Sequence, residues 1–238
     1  LAALRRREAE RAATPDKLIA VIDDPVFNRD DPRFASRSAL DPGSPRPGLP
    51  RLRQTEKEAE AILRFVPPGM GREISGFEAV PEIARDPDLR HYRYLHLGTH
   101  GFADLEHPEL SGIVLSRFTV DGRPRDGLLR FYDVYDLDLP VELVSLSTCR
   151  SAEGPQVRRE GPITMTRSFL YAGASRVLGT LWDVNDEPAA ELTAAFYKGV
   201  LREGKRPAEA LRDAQDAMRL KGWPLQNWAS FVLQGDWR

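Results

Sequence analysis

The sequence predicts an α/β protein, a three-layer α/β/α sandwich around a mostly parallel central sheet. Short apolar runs with many β-branched residues alternate with segments of helical period. That alternation is the pattern of a parallel sheet covered by helices on both faces. The chain has 238 residues, 41% of them apolar, so it is long enough to bury a sizeable core. No internal repeat breaks the pattern.

The elements follow in order. Residues 1–15 are basic and helix-prone and end at Pro15. With Leu1 in place of an initiating Met, residues 1–16 are expected to be a helical linker from an upstream region. "KLIAVID" (17–23) reads as a buried strand. Residues 24–52 hold six prolines among many Asp, Arg and Ser residues, which reads as a long mobile loop. Thr55 with Glu58 three residues on has the form of a capping box, opening a helix over "EKEAEAILRFV". "REIS" is a short strand and "EAVPEIARD" a short helical piece. "YRYLHLGTH" (92–100), "SGIVLSRF" (111–118), "VELVSLSTC" (141–149) and "RVLGTLWDV" (176–184) are strands. "GLLRFYDVYDLDL" is a short helix, and "PITMTRSFLYAGA" a longer one. "EPAAELTAAFYKGVL" and "RPAEALRDAQDAMRL" are amphipathic helices, each with a proline in its first turn, and "WASFVLQGDW" is a last strand.

Composition removes several classes of function. Thirty-four basic against 36 acidic residues give a net charge of −2, so no electrostatic case exists for direct binding of nucleic acid or a membrane surface. No apolar run is long enough to span a bilayer, and no signal peptide is visible. Cys149 is the one cysteine, so an intrachain disulfide is impossible and a reducing, cytoplasmic setting is expected.

In an open α/β sheet, ligands gather at the carboxyl ends of the strands. Two strands end there in groups capable of covalent catalysis, His100 and Cys149. A free thiol is only a few per cent thiolate near neutral pH, and an adjacent imidazole can take its proton or protonate a leaving amine. Gly101 follows the histidine and lets the backbone approach a substrate. Its N–H and that of Cys149 could form an oxyanion hole. Alone, a strand-end cysteine is more often a buried hydrophobe and a strand-end histidine more often a turn residue; the pair favours function.

Other chemistries fit less well. Gly-x-Ser-x-Gly, a Walker loop and Gly-x-Gly-x-x-Gly after a strand are all absent. A thiol phosphatase would place an arginine where Pro155 stands. His96, His100 and His107 could suggest zinc, but "HLGTH" lacks the glutamate of His-Glu-x-x-His and reads as strand. No metal or cofactor is expected. His96 reads as a core histidine and His107 as a solvated one.

"YRYLHLGTHGFAD", "SGIVLS", "LVSLSTC", "EGPITMTRSFLYAGASRVLGTLWDVND", "ELTAAFYKGVLREGKRPAEALRDAQDAM" and "NWASFVLQGDW" occur in this order. Together they resemble a CHAT domain, a caspase- and separase-like cysteine peptidase often fused to tetratricopeptide repeats. The resemblance covers residues 17–238. It implies a caspase-like fold and an endopeptidase acting on protein substrates. His100 would be the general acid/base and Cys149 the nucleophile, with Gly101 and Cys149 as oxyanion donors. The separation of 49 residues between His100 and Cys149 agrees with caspase spacing. The resemblance also implies control by an N-terminal repeat region or a regulatory protein.

The sequence departs from many CHAT domains after the cysteine, where "CRSAEG" replaces Glu-Thr-Gly-like residues. Arg150 would favour the thiolate if it faces the site. Asp183 and Asp186 lie past the end of the "RVLGTLW" strand and could line a pocket for a basic side chain; Asp183 could instead cap a helix. The loop 150–161 either shapes the site, with processing on activation, or is a plain polar loop. The alternative function is a catalytically silent interaction module of the same fold.

Overall fold

A computed structural model of the chain describes residues 15–34, 49–102, 111–151 and 161–236, with backbone alone at 102, 149–151, 161–164 and 186. Among the described residues, eight strands form one sheet: β1 (Lys17–Pro25), β2 (Gly71–Gly76), β3 (Tyr92–Phe102), β4 (Gly112–Val114), β5 (Leu128–Arg130), β6 (Leu143–Ser151), β7 (Arg176–Thr180) and β8 (Phe231–Gly235). The main path runs β2-β1-β3-β6-β7-β8, with β4 added to β3 and β5 to β4. Pairings from β2 to β7 along that path are parallel, while β8 and the β4–β5 extension are antiparallel.

The two faces divide by the strand period of two. In β1, Ile19 and Val21 pack into one apolar cluster, Ala20 and Ile22 into the other. The first face is covered by helices α1 (Arg53–Leu63), α4 (Asp186–Tyr197) and α5 (Pro207–Leu220), through Ala59, Ile62, Leu192, Phe196, Ala214 and Met218. The opposite face is covered by the short helix α2 (Phe131–Tyr135) and by α3 (Gly161–Ala172), through Phe131, Val134, Met165 and Phe169. The three-layer α/β/α architecture with a mostly parallel sheet is therefore present.

Several local expectations change. Thr55 does not cap α1, because the helix starts at Arg53 and Leu52 holds the cap position. The Thr55 hydroxyl instead donates to the Leu52 carbonyl at 2.7 Å and accepts the Asp24 N–H at 3.2 Å. Glu58 is drawn away from any capping box by a 2.9 Å hydrogen bond from Ser147. Of 111–118 only Gly112–Val114 is strand, and β7 stops at Thr180, short of 184. "GLLRFYDVYDLDL" opens with the three strand residues of β5 before turning helical, because Leu128–Arg130 complete the β4 ladder. "EAVPEIARD" and the residues after it form two 3₁₀ turns, Pro81–Arg85 and Pro87–His91, each started by its proline. The expected mobile loop contributes its first two residues to β1. The helical linker lies outside the described residues but for its last two, Pro15 and Asp16, which are not helical, and His107 and most of the 150–161 loop also lie outside.

Candidate active site

His100 lies where β3 changes partners. The β1 ladder ends at Asp23 opposite Gly98, and β4 takes over with Val114 opposite His100. In an open α/β sheet, ligands gather at the carboxyl ends of the strands, which is where His100 stands. On the other side β6 runs parallel, with Thr99 opposite Thr148 and Gly101 opposite Ser151. His100 therefore spans two residues of β6, Cys149 and Arg150, across a β-bulge. The backbone brings the predicted pair onto neighbouring strands at one sheet edge. The Cys149 and Arg150 side chains lie outside the described ones.

The imidazole is 2% exposed and leans on the Phe27 ring, with centroids 4.9 Å apart. Its Nε2 stands 2.7 Å from the Pro50 carbonyl oxygen. A carbonyl only accepts, so Nε2 carries the proton in this contact. Thr99, one residue earlier, donates its hydroxyl to the Val114 carbonyl and fastens β3 to β4. At Gly101 a Cβ would meet Thr148 only at an ordinary 3.9 Å, so the fold does not demand glycine there for room.

Pro50 belongs to an irregular segment that leads into α1, and two contacts flank it. Asn28 donates its side-chain amide to the Leu49 carbonyl at 2.5 Å. Arg51 grips the Asp24 carboxylate with Nε at 2.9 Å and Nη2 at 2.5 Å. Arg33 reaches the same carboxylate at 2.8 Å and pairs with Asp31 at 2.7 Å. The hydrogen bond to Asp24 holds the Arg51 guanidinium above its ordinary range. Burial alone would push the Asp31 carboxyl up, but the Arg33 hydrogen bonds and charge hold it below the usual carboxylate range.

Beneath this edge lies a buried polar row. Glu58 on α1 accepts from Ser147 on β6, two residues before Cys149. Its Oε2 stands 3.7 Å from His96 Nε2, and His96 Nδ1 is 3.3 Å from the Tyr197 hydroxyl. His96 is fully buried, in keeping with a core role. Burial pushes the Tyr197 hydroxyl upward, so it stays protonated. Asp23, at the end of β1, is also fully buried and neither carboxylate oxygen has a hydrogen-bond partner. Burial first, then the nearby Glu73, Asp24, Glu56 and Glu58, raises its pKa to about 8.

Asp183 is exposed, three residues past the end of β7, and Asn185 rather than Asp183 holds the cap position of α4. Asp186 is the first residue of that helix, and its side chain lies outside the described ones. Pro50, Asp24, Arg51 and Glu58 were not singled out as site residues by the sequence. Glu58 carried a legible signal, since Thr55, Glu58, Ala59 and Ile62 share one helix face and all are buried. Among the described residues no group of three His, Cys, Asp or Glu side chains could hold a metal ion, and no helix is long and apolar enough to cross a membrane.

Comparisons with known proteins agree with this frame. The family profile of the CHAT domain matches residues 1–236. Tetratricopeptide repeat protein 28 of Mus musculus is 38% identical over 114 residues, 47% of this chain and 4% of that protein. The Homo sapiens protein of the same name is 38% identical over 111 residues, 45% of this chain and again 4% of that protein. Among solved structures, the Arg-specific cysteine proteinase gingipain R superposes with a TM-score of 0.53 at 9% identity, covering 98% of this chain and 51% of that one. The likeness establishes the caspase-like fold.

Proposed function

We propose, from the premise that this chain belongs to the CHAT family, that it is a cysteine endopeptidase acting through His100 and Cys149. The observation that carries the reading is the setting of His100. It sits at the carboxyl edge of β3, across a bulge from Cys149, with Nε2 tied to the Pro50 carbonyl. A base oriented by a third group is the arrangement that activates a nucleophile.

In this reading the Cys149 thiolate attacks the carbonyl carbon of a peptide bond. The oxyanion is met by the backbone N–H groups of Gly101 and Cys149. His100 gives a proton from Nδ1 to the departing amine, and water then releases the acyl group from sulfur with the imidazole as base. The Pro50 carbonyl keeps the ring oriented and supports the imidazolium, as the orienting member of a triad does. Asp183, Asp186 and Arg150 are candidates for the substrate pocket; a basic side chain before the cleaved bond would suit the two acids. The substrate is a protein or peptide, and the setting is cytoplasmic.

Regulation belongs to the same proposal. His100 is almost fully buried, which supports an idle state that opens when a tetratricopeptide-type region or a partner protein moves. Repeat-containing relatives support that association by their names.

The test is alkylation of Cys149, the one cysteine of these 238 residues, by iodoacetamide in the protein of full length, with Cys149→Ala to subtract labelling at any other site. The peptidase reading expects labelling faster than a free thiol at pH 7, slowed about tenfold or more by His100→Ala. It also expects cleavage of proteome-derived peptides that Cys149→Ala abolishes. Slow labelling that His100→Ala does not change would favour the alternative, a silent interaction module.

A further inference from the structure

We infer that Asp24 is a positioning residue for His100: through Arg51 it fixes the Pro50 carbonyl that holds the imidazole. The inference rests on the proposed dyad for its catalytic meaning, and on geometry alone for the contact itself.

Asp24 has the left-handed φ of +42°, unique among the described non-glycine residues. Such a conformation costs free energy and persists where surrounding contacts over-determine it. Here they do. Its N–H donates to Thr55 Oγ1, its carbonyl accepts from Arg33 Nη1 at 2.8 Å, and its carboxylate takes both Arg33 and Arg51. The turn removes Asp24 from the β1–β2 ladder, whose register skips from Asp23 to Pro25. The same turn follows Asp23, the last β1 residue paired with β3, where β3 exchanges β1 for β4.

The ion pair has no strong stabilising rationale of its own. The Asp24 side chain is 4% exposed and that of Arg51 23%, and ion pairs removed from water seldom add net stability. Its place in the chain is what distinguishes it. Arg51 directly follows Pro50 in a stretch with no helix or strand to fix the backbone. A carbonyl in such a stretch can rotate away from its partner. Pinning Arg51 on one side, with the Leu49 carbonyl held by Asn28 on the other, leaves the Pro50 carbonyl one direction, toward His100 Nε2.

The experiment uses protein labelled with ¹⁵N-histidine, with His100→Ala to assign the signal. A buried ring N–H held by a carbonyl exchanges slowly and gives a downfield proton resonance. Wild type and Arg33→Gln, which spares the Arg51–Asp24 contact, are expected to show it. Asp24→Asn and Arg51→Met are expected to lose it and to slow Cys149 alkylation roughly tenfold, because small displacements of a reacting group are costly. Thermal melts establish that each variant is folded; if Asp24→Asn does not fold, Arg51→Met reads the same contact. Persistence of the resonance, with an unchanged alkylation rate, in a folded Asp24→Asn or Arg51→Met protein overturns the inference. Wild-type labelling no faster than a free thiol would instead sink the dyad reading, and the resonance would still decide whether Asp24 holds His100.

Discussion

Asp23 and Asp24 stand side by side and do opposite things. Asp24 is surrounded by arginines, whereas Asp23 is fully buried with no hydrogen-bond partner on either oxygen. Asp23 therefore stays protonated in the native state up to about pH 8, while in the unfolded chain it ionises near pH 4. Between those values the native state binds the extra proton, so stability falls as pH rises. The loss approaches about 1.4 kcal/mol per pH unit in that window. Asp23→Asn should flatten the dependence, with the gain over wild type greatest above pH 8, read from denaturant unfolding across pH 5–9. The sequence displayed the His100–Cys149 pair because strand-end nucleophiles and bases are visible as residue types. It did not display Asp23 or Asp24 as site neighbours, because their meaning comes from burial and from a left-handed turn that "DDP" does not reveal.

The element that gathers the site is α1 with its lead-in. Its lead-in reaches His100 through Pro50, its first turn reaches β1 through Thr55, and its second reaches β6 through Glu58. The helix can come this close because β3 presents Gly98 beneath it. A Cβ at Gly98 would stand 3.1 Å from Thr55 Cβ and 3.2 Å from its Cγ2. Gly98→Ala should therefore cost about 1–3 kcal/mol by overpacking, seen as a lower thermal midpoint, and slow Cys149 alkylation as the lead-in shifts. Periodicity was enough to read this helix, since its apolar positions fall on one face. Its start was misread because Thr55 and Glu58 look like a capping box, whereas tertiary partners on β1 and β6 claim both side chains. The Pro-rich run before it reads as mobile because proline and aspartate mark loops; the ion pairs that fix Pro50 join residues distant in sequence.

Among the described residues, two large apolar clusters lie on either side of one sheet, beside a small third cluster of Phe27, Leu52 and Val114. Leu129 sits fully buried in one and Phe196 in the other. Leu129→Ala should cost about 2–5 kcal/mol and Phe196→Ala about 3–5. Because both clusters lean on the same strands, each variant should move a single calorimetric transition; two separable transitions would show the layers to be independent. The architecture was legible from the alternation of apolar runs and helical segments. The order of the strands was not, because pairing such as β3 with β6 is a long-range choice that local pattern does not encode. The strands β4 and β8 are legible as apolar runs, but their antiparallel direction is not, and β5 is hidden because Leu128–Arg130 adjoin a helical pattern.

The bulge between β3 and β6 can be restated as a design conflict. Deleting Arg150 would let one residue of β6 face His100 and would make the ladder regular. The same deletion would move every later residue of β6 to the opposite face, so the phase between the His100 and Cys149 positions would be lost. Under the proposed peptidase reading, deletion of Arg150 should slow Cys149 alkylation, and an unchanged rate would show that the bulge does not set the pair. The extra residue is a place where ladder regularity and the proposed chemistry pull the same strand in different directions.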